Sequence, residues 1–499
     1  MEEFTISDLQ KEMQTGELTS RECVNQYIER IQYMDPQVCS VSEINPDALD
    51  IANNLDSERS KGIVRGPLHG VPVLVKENID TADRMQTTAG SLSLIGNIAK
   101  DDAYLVGLLR NAGAVILGKT NLSEWANFRS SKSTSGWSSR GGLTRNPYAL
   151  DRSACGSSSG SGAAVAANFC TAAVGTETDG SIVCPAQTNG IVGIKPTLGR
   201  ISRSGIIPIA HSQDTAGPMA RTVGEAAILL QVMSGSEKKY KNIPETFDNK
   251  IGDLSLVLIK SGLAGARLGV SRNYFGFDDR VDKIMEHCID VIKSLGAEVV
   301  DPANVDNESK YAKSELEVLL YEFQADVNNY LAQHPTAPLK TMVEIAEYNK
   351  NHKSKMMPYF GQERIEQAIK KGPLTQIKYL RALEKNIRLS RAGIDDVLEK
   401  NHLDAIIAPT GGPAWMIDLI NGDNYPGGCS SPAAVSGYPH ITVPAGYVFG
   451  LPVGLSIFST AWTDWKLVQY AYAFEQATKV RNPPTFLKSV DLNSDEISW

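Results

Sequence analysis

Serine and lysine side chains, rather than metal ligands or paired carboxylates, are the chemistry-bearing groups of this sequence. The run ACGSSSGSGAAVAANF, residues 154–169, sets four serines and three glycines within seven positions, and GTETDGSIVC follows from residue 175. Read alone, a Gly/Ser run is a flexible connector. A phosphate-binding loop is excluded, because G-x-x-x-x-G-K-[ST] needs a lysine after its last glycine and none stands there. GSSSG at 156–160 also satisfies G-x-S-x-G, the nucleophile elbow with Ser158 as nucleophile. That elbow directly follows a buried strand, whereas TRNPYALDRSAC precedes this one, and His440 is the one late histidine placed to serve it.

Upstream, Lys76 closes the apolar run VPVLVK. Taken alone, a strand-end lysine reaches out to solvent. If it stays inside, it must find a partner or lose its charge. A fall of about three pKa units corresponds to roughly 4 kcal/mol. A neutral lysine beside serine hydroxyls is a general base that can activate a nucleophile.

The elements that must position these groups are legible in outline. TISDLQKEMQTGELTSRECVNQYIERIQYMD reads as two short amphipathic helices, the second opened by a capping box of Thr19 and Glu22. Val71 to Val75 form a β-branched apolar run of the kind buried on both faces, with Pro72 weakening only its start. DDAYLVGLLRNAGAVILGKTNL reads as helix, Gly stop and a second buried strand, Ala114 to Leu117, which is the alternation of an α/β protein. Residues 121–153, rich in Ser, Asn, Gly and Trp, read as a long surface excursion, with nothing to say whether it closes over a substrate. ARLGVSRNYFG offers another strand and turn, and residues 300–400 read as a charged helical elaboration rather than a separate domain. LDAIIAPT and HITVPAGYVFGLPVGLSIF return to strands before a final helix, WKLVQYAYAFEQAT.

Composition narrows the function classes. The chain has 499 residues, 42% hydrophobic and 21% charged, with a formal net charge of −8. No basic patch invites nucleic acid or anionic lipid, and no apolar stretch of about 18 residues could span a bilayer. The start, MEEFTISDLQ, lacks the apolar region of a signal peptide. The seven cysteines are scattered without a C-x-x-C pair, and the seven histidines are isolated. Neither a disulfide framework nor a metal site is expected, Cys155 and Cys184 read as small packing residues, and a reducing cytoplasm fits best.

Lys76, then GSSSGS at 156–161, then GTETDGSI at 175–182 with a following P-A and GIKPT, together resemble the amidase signature family. The motif core covers residues 66–205, and GYPHITVPAGYVFGLPVGLSIF extends the resemblance over nearly the whole chain. It implies one α/β domain over residues 1–499, an α/β/α sandwich with a central mixed sheet flanked by helices, the 300–400 elaboration lying near the substrate entrance. It implies amide hydrolysis through an acyl-enzyme, with Lys76 as base, Ser157 as relay serine after a cis peptide bond and Ser181 as nucleophile. The backbone N–H groups of Thr178, Asp179, Gly180 and Ser181 would form the oxyanion hole, and Ser158, Ser159 and Ser161 would bond within the loop. No cofactor is expected, nor a nucleic-acid, membrane or protein-subunit partner, while the oligomeric state stays open.

The variant motif carries its own information. The amidase-like chain of glutamyl-tRNA amidotransferase reads GTDTGGSIR, where this chain has Glu177, Asp179 and Val183 in place of Asp, Gly and Arg. GTETDGSI looks more like the peptide-amidase branch, whose members remove the C-terminal amide of peptides. Two rival readings are that chain of the tRNA-dependent amidotransferase and an inactive scaffold on the same fold. The first calls for a companion protein, and the second usually lacks a triad residue, whereas all three are present here. A lipid amide hydrolase would carry an apolar docking helix, and the charged N-terminal helices do not supply one.

Overall fold

The apolar run before Lys76 forms the strand Pro72–Lys76, buried at every residue. It lies in the midst of a mixed sheet, parallel on one side to Val115–Thr120 and on the other to Ala172–Glu177. Strands buried on both faces need continuous apolar sequence, which is what these three segments supply. The computed structural model describes residues 3–235 and 252–499. Beyond Ala172–Glu177 the sheet continues antiparallel through Thr215–Ala220, Val192–Lys195 and the hairpin His440–Val448 and Leu451–Phe458. Ala405–Pro409, Arg267–Val270 and Glu298–Val300 complete that side, and Val41–Ile44 forms the opposite edge. Helices flank this sheet, giving the α/β architecture that the resemblance implied.

The expected helices form where capping and periodicity put them. Ile6–Thr15 and Ser20–Met34 each begin at a capping box, Thr5 with Asp8 and Thr19 with Glu22. Ser159–Ala166 starts inside the Gly/Ser run and is wholly buried. The run is therefore the close-packed entry to a helix rather than a linker. Between 300 and 400 lie Glu308–Gln333, Met342–Asn351, Glu363–Ile369 and Ile377–Asn401, with the two long helices packed on one another.

Residues 121–153 depart from the expected surface excursion. Asn121, Ser123, Glu124, Trp125, Arg129, Ser138 and Asn146 are all at most 2% exposed. The composition reads as loop because the polar groups are satisfied by one another instead of by water. Asn121 donates through Nδ2 to Thr144 Oγ1 (3.0 Å) and accepts from Ser138 Oγ (2.7 Å). Arg129 pairs with Glu124 at 2.9 Å, with both side chains fully buried. It also donates to the carbonyls of Met356 (2.6 Å) and Phe360 (3.3 Å) and lies over the Trp137 and Phe360 rings. This arginine ties the helical region to the loop beneath it.

Gly160 shows how closely the serine run is packed. A Cβ there would lie 2.2 Å from the Ser40 carbonyl oxygen and 2.5 and 2.7 Å from the backbone O and N of Asn121. Gly160→Ala is expected to lower stability by about 1–3 kcal/mol in denaturant unfolding. Gly107→Ala has no neighbour within 4 Å of the new methyl and lies in the helix Tyr104–Asn111. It is expected to be neutral or slightly stabilising, and an equal loss in both variants would contradict the packing account.

Candidate active site

Two parallel strands bring the chemistry together. Pro72–Lys76 and Ala172–Glu177 run side by side, with Val75 paired to Val174, so their ends present Lys76 and Thr176 at one place. The turn after Cys155 descends onto that place, with a cis peptide bond between Gly156 and Ser157. Lys76 is fully buried. Its Nζ reaches Ser157 Oγ at 2.8 Å, Ser158 Oγ at 3.1 Å, Thr176 Oγ1 at 2.8 Å and the Thr176 carbonyl at 3.1 Å. All four neighbours are neutral. Burial pushes the ammonium pKa down to about 7, against the attraction of Asp214 and Glu177, which raises it.

The turn 177–183 is shaped by a carboxylate. Glu177 Oε2 accepts from the N–H groups of Ile182 (2.7 Å) and Val183 (3.1 Å), folding the chain back so that Asp179, Gly180 and Ser181 form its crest. Gly180 has φ +75°, and a Cβ there would sit 3.0 Å from Ser430 Oγ, so the turn suits glycine. The Ser158 N–H donates to the Ser181 carbonyl (3.1 Å), which seats the nucleophile candidate against the serine turn. The Ser181 hydroxyl makes no hydrogen bond among the described residues. Thr178 donates through Oγ1 to Asp214 (2.6 Å), whose other oxygen accepts from Ile209 and Ala210. Burial raises the Asp214 carboxyl to about 6.

Lys76 and Ser157 are thus in direct contact, Ser181 is held on the adjoining turn, and Thr178 to Ser181 line that turn. Ser159 and Ser161 bond within the structure, to the Cys155 carbonyl (2.5 Å) and to Thr120 Oγ1 (2.7 Å). Ser158 does more than bond within its loop, because it touches the lysine and also donates to the Thr176 carbonyl (3.0 Å). The elbow arrangement fails in space as well: His440 is buried on the hairpin strand and engaged by Ser456 Oγ at 2.6 Å. Sequence pattern does not single out Thr176, Asn78 or Asp214, although Asn78 Nδ2 donates to Thr176 Oγ1 at 3.0 Å beside the lysine. Thr176 stands inside GTETDGSI and could be found from strand parity, whereas Asp214 comes from a segment with no local pattern.

Cys155 and Cys184 are not independent packing residues. They form a disulfide across 29 positions, with Cα atoms 6.0 Å apart. The sequence separation hid the pair, which closes only because the serine turn and the helix Val183–Thr188 meet. Both cysteines line a cavity of about 550 Å³, together with Gly156, Gly180 and Trp415.

Comparison with known proteins places the chain in a family. Residues 22–468 match the family model described as Amidase. The chain is 38% identical to a probable amidase of Arabidopsis thaliana, over 98% of this chain and 92% of the relative. It is 32% identical to a glutamyl-tRNA(Gln) amidotransferase subunit of Prochlorococcus marinus, over 96% and 99%. Among solved structures, a peptide amidase in complex with the competitive inhibitor chymostatin superposes with a TM-score of 0.93 at 47% identity, covering 97% of this chain and 99% of that one.

The disulfide makes a direct prediction. Iodoacetamide is expected to leave Cys155 and Cys184 unmodified until a reductant is added, while partly buried Cys39 reacts without one. Peptide mapping by mass spectrometry reads all three sites, and labelling of Cys155 without reductant would contradict the pairing.

Proposed function

This chain belongs to the amidase family and hydrolyses amide C–N bonds, and we propose that it does so through Ser181, Ser157 and Lys76 on C-terminally amidated peptides. The observation that carries this reading is the contact between a buried lysine, drawn to near-neutral pKa, and Ser157 at 2.8 Å. Neutral Lys76 takes a proton from Ser157, which takes one from Ser181. The Ser181 oxygen attacks the amide carbon, and the developing oxyanion meets the N–H groups along Thr178 to Ser181. Collapse of this intermediate breaks the C–N bond, and ammonia leaves with a proton returned through Ser157. Water then attacks the acyl-enzyme by the same relay reversed, releasing the acid.

The substrate class rests on likeness to the peptide amidase and on the cavity that opens beside Gly156 and Gly180. The amidotransferase reading is the weaker, since 32% identity to such a protein stands beside 38% to a plant amidase and 47% to the peptide amidase. A free-standing enzyme is the corresponding proposal. For its location, no helix among the described residues is long and apolar enough to cross a membrane. The scattered thiols favour the cytoplasm, while the Cys155–Cys184 pair favours an oxidising compartment.

Ammonia release from a short peptide amide, measured beside free glutamine, tests the reading. Ser181→Ala is expected to lower kcat about 10⁴-fold or more, and Lys76→Met about 10²- to 10⁴-fold. The base works only when neutral, and Lys76 holds its proton below about 7 and loses it above. The wild-type kcat/KM should therefore rise with pH through about 7. A rate flat from pH 5.5 to 9, or full activity in Ser181→Ala, would remove these residues from their roles.

A further inference from the structure

The cavity beside the serines has a one-sided charge. Asp179, Glu308, Glu315 and Asp423 line it, and among the described residues no lysine, arginine or histidine does. They come from separate elements: Asp179 from the turn before Ser181, Glu308 and Glu315 from the helix Glu308–Gln333, and Asp423 from the segment before the short helix Ser431–Ser436. Leu316, Leu319 and Trp415 supply apolar wall between them. Asp179 accepts from Ser430 and Ser431, each at 2.6 Å, and Asp423 from the Trp415 ring N–H (3.0 Å) and the Ser135 N–H (2.9 Å). Glu308 accepts from the Tyr274 hydroxyl (2.8 Å), and Glu315 from Gln213 Nε2 (3.1 Å). None of these donors is a cation.

These are not four free anions: Asp179 and Glu315 hydrogen-bond to one another, and at neutral pH Glu315 holds the shared proton. Burial and the neighbouring Asp179 push its carboxyl up to about 8. Between Glu308 and Glu315 on the same helix stands one more buried polar group, outside the cavity's lining. Tyr311, 1% exposed, has its hydroxyl within the field of Glu308, Asp179 and Glu315, yet among the described residues that hydroxyl has no hydrogen-bond partner. A buried phenol oxygen normally finds one. A metal ion does not fit, because among the described residues no three of these side chains bring ligand atoms within reach of one ion.

We propose that this cavity selects amides carrying a positive charge, an ammonium or guanidinium, within a residue or two of the scissile bond. The inference rests on the amidase reading above and names its substrate class further. A cation entering here releases the proton shared by Asp179 and Glu315 to solvent and takes charge-assisted hydrogen bonds in its place, and its aliphatic stem lies along Leu316, Leu319 and Trp415. The charge has two sources in a peptide amide: the side chain of the amidated residue, or a free α-amino group.

Four amides separate them: benzoyl-arginine amide, leucine amide, benzoyl-leucine amide and the α-amide of benzoyl-glutamate. The arginine or the free-amine substrate is expected to exceed the neutral one by about 10- to 100-fold in kcat/KM, with the anionic one slowest. The faster of the two cations identifies the source. Glu308→Gln, with Glu315→Gln as the second variant should the first fail to fold, is expected to shrink the cation-to-neutral ratio about tenfold. Calorimetric binding of the same series to Ser181→Ala reads the preference without turnover. A binding series flat with charge overturns this inference even if ammonia is released. A charge-dependent series with no ammonia from wild type upholds the selectivity and sinks the amidase reading.

Discussion

The burial of one ammonium group governs the rest of the site. Lys76 is enclosed at the end of an interior strand with two serine hydroxyls, one threonine hydroxyl and one carbonyl around it, and among the described residues no carboxylate touches it. Placing a carboxylate there would have stabilised the charged form and kept the lysine protonated at neutral pH. Neutral acceptors satisfy its donors while leaving the desolvation penalty to lower its pKa. Asp214 and Glu177 act from a distance and partly offset that penalty, which holds the pKa near 7 rather than lower.

Those two carboxylates also build the structure around the lysine. Glu177 braces the turn that carries Ser181, and Asp214 holds the Thr178 hydroxyl at the start of the same turn. One set of groups therefore fixes both the electrostatics of Lys76 and the shape of the turn that carries Ser181. In the proposed mechanism such preorganisation matters because N–H groups already held in place need no reorganisation during reaction.

The helical region is bound to this core by buried polar contacts rather than by an apolar face alone. Arg129 and Glu124 pair in full burial, and Arg129 also bonds two carbonyls of the segment 356–360. Breaking one partner of such a pair typically costs about 3–5 kcal/mol, since the other charge is left stranded. A different element of that region, the helix Glu308–Gln333, brings Glu308 and Glu315 over the cavity.

Periodicity, capping and motif order let the sequence determine a good deal by itself. The buried strand before Lys76, the capped N-terminal helices and the α/β class all depend on local patterns of apolar spacing and turn residues. What stayed hidden depends on residues far apart in the chain. Lys119 and Lys195 also close apolar strands and are as buried as Lys76, with pKa values pushed down to about 8. Apolar spacing alone does not separate the three, and the family resemblance is what singles out Lys76. The fold gives the physical difference: Lys119 donates to the Ile79 carbonyl and Thr87, and Lys195 to the Pro196 carbonyl, while Lys76 is the one of the three that reaches the serine turn. Likewise the Cys155–Cys184 pair, the internal satisfaction of residues 121–153 and the ring of carboxylates exist only as meetings between distant segments. Local sequence sets which element forms, but the electrostatic identity of a side chain belongs to the neighbours that tertiary packing brings to it.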